Sequence, residues 1–174
     1  MSWEEDKQFS EGARIYQDKL YKMIFPLKNI TRFSKEDRHI LDKNYHIDVE
    51  LEMNNGIKLL GQEKALRKKF GGFDTFTIEF YQNRFTKESG EFFNLGAQFY
   101  CHGYMNGNNL EETTGFEKVY IIKIFDFLEQ LKKHSIKELE YWTRPSPGLA
   151  SFYHIEYKDI PDKFIYFKFD TAED

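Results

Sequence analysis

Two polar residues in the stretch Tyr45 to Arg67 (YHIDVELEMNNGIKLLGQEKALR), Asp48 and Gln62, have the types and spacing to hold a divalent cation beside a lysine, Lys64. The stretch reads as a β-hairpin. His46 to Glu52 alternates apolar and polar residues, which puts Ile47, Val49 and Leu51 on one face and Asp48, Glu50 and Glu52 on the other. Asn54-Asn55-Gly56 tolerates the positive φ of a tight turn, and Ile57 to Leu66 is the return strand. Side chains two apart on a strand point the same way, so Gln62 and Lys64 share a face and Glu63 takes the other. Magnesium, or manganese in its place, takes hard oxygen ligands in an octahedron and keeps several waters. The Asp48 carboxylate, the Gln62 amide oxygen and the backbone carbonyl of Glu63 suffice as protein ligands. Lys64 beside them can orient or deprotonate an attacking water, or neutralise charge on a phosphorane-like transition state. A glutamine ligand supplies one negative charge fewer than a carboxylate. Glu50, Glu79 and Glu11 are candidates to make up the difference, and each also reads as an exposed carboxylate.

The elements that must position these residues follow from periodicity and punctuation. A helix is expected over residues 8 to 24, N-capped by Ser10 and stopped by Pro26. Asn29 to Asn44 is polar and reads as a loop with a short helical turn. After the hairpin, Phe70-Gly71-Gly72-Phe73 breaks the pattern and Thr75 to Tyr81 (TFTIEFY) is a third strand. Gly90 to Gly107 reads as a helix carrying Phe92, Phe93, Leu95, Phe99 and Tyr100. Lys118 to Ile124 is a buried strand and Asp126 to Lys133 an amphipathic helix. Ser151 to Tyr157 and Phe164 to Phe169 are late strands, preceded by a loop at Pro145, Pro147 and Gly148. The expected class is mixed α+β, a central mixed sheet flanked by helices, in the order α-β-β-β-α-β with a further helix and strands.

Composition sets the outer bounds. The 174 residues are 40% hydrophobic with 18 Phe and 11 Tyr, enough for one domain with an aromatic core and too apolar for disorder over most of the length. No apolar run approaches the length of a membrane span, and no signal peptide is visible. The single cysteine, Cys101, excludes an internal disulfide and a thiolate metal cage, which suits a reducing, cytoplasmic compartment. His46, His102, His134 and His154 show no metal-ligand spacing. Cys101 and His102 are adjacent and would project about 100° apart on a helix, which disfavours a thiol–imidazole pair. Net charge is −4, against a sequence-independent coat protein for nucleic acid. Basic residues nevertheless gather on both sides of the hairpin, as Arg32, Lys35, Arg38 and Lys43 before it and Lys64, Arg67, Lys68 and Lys69 at its end. Phe92, Phe93, Phe99 and Tyr100 serve either as core or as base-stacking platforms. Trp142 with Arg144 either meets a ligand or caps the core.

Asp48 followed by Gln62-x-Lys64, in this element order, resembles the PD-(D/E)xK nuclease superfamily over about Glu11 to Ile124. The resemblance implies a restriction-endonuclease-like fold in which Asp48 matches the first acid, Gln62 the second ligand position and Lys64 the lysine. Gln62 departs from the usual Asp or Glu, and Ile47 stands where Pro is frequent. The segment LGAQFYCHGY is similar to the Gln and Tyr motif of RecB-like and lambda-exonuclease-like members, with Gln98 at the Gln and Tyr104 near the Tyr. The implied activity is hydrolysis of DNA phosphodiester bonds with Mg2+ or Mn2+, RNA remaining open, by a monomer or a homodimer. The alternative is a protein of the same fold whose catalysis has lapsed and which binds nucleic acid or a protein partner.

Overall fold

The computed structural model describes residues 3–33 and 40–171. The long helix α1 (Trp3–Ile24) buries Phe9, Ala13, Gln17, Leu20 and Tyr21, a stripe at helical spacing, and ends where Pro26 would remove a hydrogen bond. Ser10 is not its cap, because the helix begins a full two turns earlier, with acidic residues at its positive end.

Then come β1 (Leu27–Arg32), the short α2 (Ile40–Tyr45), β2 (Val49–Met53) and β3 (Lys58–Leu66). A 3-10 turn at Lys68–Phe73 leads to β4 (Thr75–Asn83), β5 (Glu88–Ser89) and the one-turn helix α3 (Glu91–Asn94). The chain continues through β6 (Phe99–Met105), β7 (Phe116–Ile122), α4 (Ile124–Leu131), α5 (Ile136–Tyr141), β8 (Thr143–Pro145), β9 (Ser151–Glu156) and β10 (Ile165–Asp170).

These strands form a six-stranded mixed sheet, ordered β1-β2-β3-β6-β7-β10, and a four-stranded antiparallel sheet, ordered β5-β4-β9-β8. Every neighbouring pair is antiparallel except β3 and β6. The fold is therefore mixed α+β with a central mixed sheet flanked by helices, as the sequence pattern implies.

Three expectations about elements are corrected. Residues 90–107 are not a helix: after the single turn of α3 they run as β6, in which all seven residues are buried. An apolar run buried on both faces shows no alternation, so its strand character is invisible to periodicity. The third strand of the pattern, β4, forms as expected but joins the smaller sheet, and its place beside β3 is taken by β6. The strand β1 lies in what reads as a polar loop, its exposed positions following from its place at the sheet edge.

Each face of the larger sheet has its own core. Toward α1, Leu20 and Tyr21 pack with Val49, Leu51, Phe99, Cys101, Val119 and Ile121, and Phe9 and Ala13 with Ala65 and Met105. Toward the smaller sheet, Tyr100, Tyr104, Tyr120 and Ile122 meet Phe76, Ile78, Phe80, Tyr153 and the α4 residues Phe127 and Leu128. Gly61 permits the close approach of β3 and β6, since a Cβ there would stand 2.1 Å from the Phe99 ring.

Candidate active site

Asp48 lies at the entry of β2 rather than at the centre of a strand. Its residue neighbour His46 adopts φ 51°, and Ile47 turns into the core between the two sheets while Val49 and Leu51 face α1. The alternation over 46–52 therefore breaks at its start. With β2 leaving the ladder there, the Glu63 N–H has no strand partner and donates to Asp48 Oδ2 at 3.0 Å. The Asp48 N–H donates to the Gly61 carbonyl at 2.9 Å. In a strand the N–H and C=O of one residue leave on the same edge, so the Glu63 carbonyl also points toward Asp48.

Gln62 and Lys64 share the face of β3 that looks toward the smaller sheet, next to Tyr100 and His102 of the parallel strand β6. Gln62 Nε2 donates to Glu91 Oε1 at 2.7 Å, while Gln62 Oε1 is buried and has no hydrogen-bond partner. The Tyr100 hydroxyl donates to both Glu91 oxygens at 3.4 Å. Burial first, then the negative charges of Glu91 and Asp48, push the Tyr100 phenol well above its ordinary value. Glu91 therefore hydrogen-bonds the hydroxyl beside Gln62, and Asp48 acts on it only through its charge.

Glu91 is the functional candidate that the sequence pattern conceals. It is only 8% exposed, and α3 places it against Gln62 across a sequence gap of 29 residues. Its signal is an acid set directly between Gly90 and a pair of phenylalanines, a position where a surface carboxylate has little reason to stand.

Lys64 extends farther along the same face. Its Nζ donates to Thr77 Oγ1 at 3.2 Å and lies 5.0 Å from the centre of the Phe152 ring. Burial lowers the Lys64 pKa, and the charges of Glu91 and then Glu79 partly offset that. His102 continues the chain beyond Thr77. Its Nε2 accepts from the Thr77 N–H at 3.4 Å, and its Nδ1 meets the Tyr157 hydroxyl. Burial, helped by the charge of Lys64, drops the His102 pKa well below its ordinary value and keeps the ring neutral. Lys64 is thus held by Thr77 with the neutral His102 behind it and forms no salt bridge with a described residue.

The remaining candidates separate. Glu50 pairs with Lys58 at 2.8 Å on the surface. Glu79 stays within the electrostatic reach of Lys64. Glu11 is exposed on α1, which covers the opposite face of the sheet. Gln98 precedes β6 and is a backbone brace: its N–H donates to the Leu60 carbonyl at 2.7 Å and its Oε1 accepts from the Leu60 N–H at 2.9 Å. The Glu63 carboxylate faces α1, taking hydrogen bonds from Tyr21 and Arg32. Cys101 is buried, which pushes its thiol up and makes it inert. Phe92, Phe99 and Tyr100 are core residues. Lys35 and Arg38 lie outside the described residues.

Beyond Lys64 a cavity of about 930 Å³ opens between the sheets. Its walls include Phe70, Phe73, Tyr104 and Phe152 with Lys64, Arg67 and Arg144, whereas Asp48, Gln62 and Glu91 do not border it.

Among the described residues no three His, Cys, Asp or Glu side chains are grouped closely enough to hold a metal ion. Any cation here must therefore draw on amide or carbonyl oxygens as well, and the orphaned Gln62 Oε1, on the amide that meets Glu91, is a donor of the right kind. No helix among the described residues is long and apolar enough to cross a membrane. No protein family, curated protein or solved structure matches the chain.

Proposed function

We propose that the protein is a cytoplasmic, metal-dependent nuclease that hydrolyses phosphodiester bonds, DNA first among its substrates. The observation that carries this reading is the placement of Glu91. A buried carboxylate delivered from α3 onto Gln62 supplies the charge that Gln62 lacks, and it acts on Tyr100 together with Asp48 and on Lys64. Asp48, Glu91, Gln62 Oε1 and the Glu63 carbonyl would hold Mg2+ or Mn2+. The cation, when bound, would polarise the phosphate and make water more acidic. Lys64, as a cation, orients the attacking water, which gives up its proton to solvent, and neutralises the charge that builds on the phosphate as the new P–O bond forms and the bond to the leaving oxygen breaks. Thr77 and His102 hold the amine in place for that step.

The test is cleavage of labelled single-stranded and duplex DNA with Mg2+, with Mn2+ and with EDTA. Lys64→Ala and Glu91→Gln should each lower the rate by about 10²–10⁴-fold, the range of a removed acid–base or charge-stabilising group. Cleavage that persists in EDTA, or in Lys64→Ala, sinks the assignment.

A second reading, a lapsed nuclease fold that binds nucleic acid without cutting it, is favoured by a different observation. Each carboxylate is already satisfied by protein donors, Asp48 by the Glu63 N–H and Glu91 by Gln62 and Tyr100, and the cavity does not reach them. Under that reading no metal produces cleavage and Glu91→Gln affects stability alone.

A further inference from the structure

The cavity beyond Lys64 differs in character from the rest of the molecule. The chain carries a net charge of −4, yet the cavity lining holds Lys64, Arg67, Arg144 and His154 and no Asp or Glu. Its volume of about 930 Å³ falls in the roughly 300–1,000 Å³ range of sites that enclose small ligands. Two of its rings stand as a near-parallel pair. Phe70 and Phe73 lie nearly parallel, 24° apart with centroids at 6.5 Å, and Phe73 remains 68% exposed. Phe152 forms the inner wall directly beneath the Lys64 amine. Arg144 is exposed and forms no ion pair with a described residue. Phe73 is exposed at an aromatic-lined cavity and not singly on the surface, and an arginine without a carboxylate can meet an anion there.

Flat aromatic faces combined with cations and the absence of acids match a flat ring joined to a phosphate. We infer that this cavity takes an unpaired nucleotide of a single-stranded nucleic acid, its base against the exposed Phe73 and its backbone phosphate beside Arg144 and Lys64. A base-paired nucleotide presents its ring faces to its stacked neighbours and cannot enter. The inference rests on the nuclease reading only in making Lys64 the shared border between base pocket and hydrolytic site. It specifies that reading by making single strands, or single-stranded ends and flaps, the preferred substrate.

The experiment measures fluorescence anisotropy of a labelled oligothymidylate, a hairpin duplex of equal length and a labelled mononucleotide, all in EDTA so that nothing is cut. The single strand should bind at least tenfold tighter than either of the others. Phe73→Ala should weaken single-strand binding by roughly 5- to 150-fold, the span of stacking one base on one ring. Arg144→Ala should reduce the slope of log K against log salt by about 0.7, one phosphate contact on a single strand. Both positions are exposed, and circular dichroism of the variants checks that the fold is kept. Equal affinity for duplex, equal affinity for the mononucleotide, or Phe73→Ala binding like the parent would each overturn the inference. Binding as expected without cleavage in any metal leaves the pocket standing and removes the hydrolytic reading; cleavage with Phe73→Ala indistinguishable from the parent does the reverse.

Discussion

Lys64 carries an electrostatic cost that can be measured independently of any activity. Its side chain is half-buried at the border of the cavity and forms no salt bridge with a described residue, and burial lowers its pKa, the charges of Glu91 and Glu79 offsetting only part. The unfolded chain therefore binds the Lys64 proton more tightly than the folded one. From the lowered folded pKa up to about 10.5 the unfolded state holds more protons, so stability contributed by this group rises with pH through that window. Below the window the full cost is present. Lys64→Met, which keeps the packing and removes the charge, should accordingly raise the denaturation midpoint at neutral pH, with the gain shrinking as pH climbs toward 10. A variant less stable than the parent at pH 7 would show that the charge is favourably held and would undo the burial argument. A residue retained at such a cost belongs to function more readily than to structure.

At the scale of elements, one buried charge network ties β3 to the rest. Arg32 of β1 reaches both Glu63 of β3 and Asp18 of α1, and the Tyr21 hydroxyl donates to Glu63 Oε1 at 2.8 Å. Glu63 is only 5% exposed at its side chain, so its charge depends on these donors. Arg32→Met should destabilise the protein by about 3 kcal/mol, because it leaves a buried carboxylate without its cation. Arg32→Met with Glu63→Leu should recover most of that loss in urea denaturation. A single variant within about 0.5 kcal/mol of the parent would mean that water reaches Glu63. Residue alternation predicts this split of β3: Gln62 and Lys64 toward one face, Glu63 toward the other. The hairpin, the amphipathic α1 ending before Pro26, and the strand at β4 are legible for the same reason, since each has one solvated face to mark its period. The strand β6 is not legible, because burial on both faces erases the period. Misreading it as a helix hides the pairing of Gln62 with Tyr100, and with it the role of Glu91. Gln98 illustrates the same error in reverse: on a helix it would present an amide to the site, whereas at the start of a strand it hydrogen-bonds Leu60.

The candidate metal ligands come from parts of the chain that only the complete fold brings together. Asp48 enters β2, Gln62 sits within β3 and Glu91 arrives after an excursion through the smaller sheet. That excursion lets β3 and β6 lie parallel as neighbours, since parallel strands cannot be joined by a tight turn. In the unfolded chain these three side chains are far apart, so a cation held by all of them binds the folded state and not the unfolded one. Linkage then fixes the size of the effect. At ten times its dissociation constant a ligand adds about 1.4 kcal/mol to stability. For a chain of this length that corresponds to a rise of about 3–6 °C in melting temperature. Mg2+ or Mn2+ should therefore shift the thermal transition in a saturable way, sodium at equal ionic strength serving to separate site binding from screening. Glu91→Gln should abolish the shift, and Glu50→Gln, on the surface beside Lys58, should leave it intact. A shift that is absent in the parent, or equal in both variants, would mean that the Asp48–Gln62–Glu91 cluster holds no cation. Its carboxylates would then be structural hydrogen-bond acceptors, and the molecule would act on nucleic acid, if at all, through the aromatic and basic cavity alone.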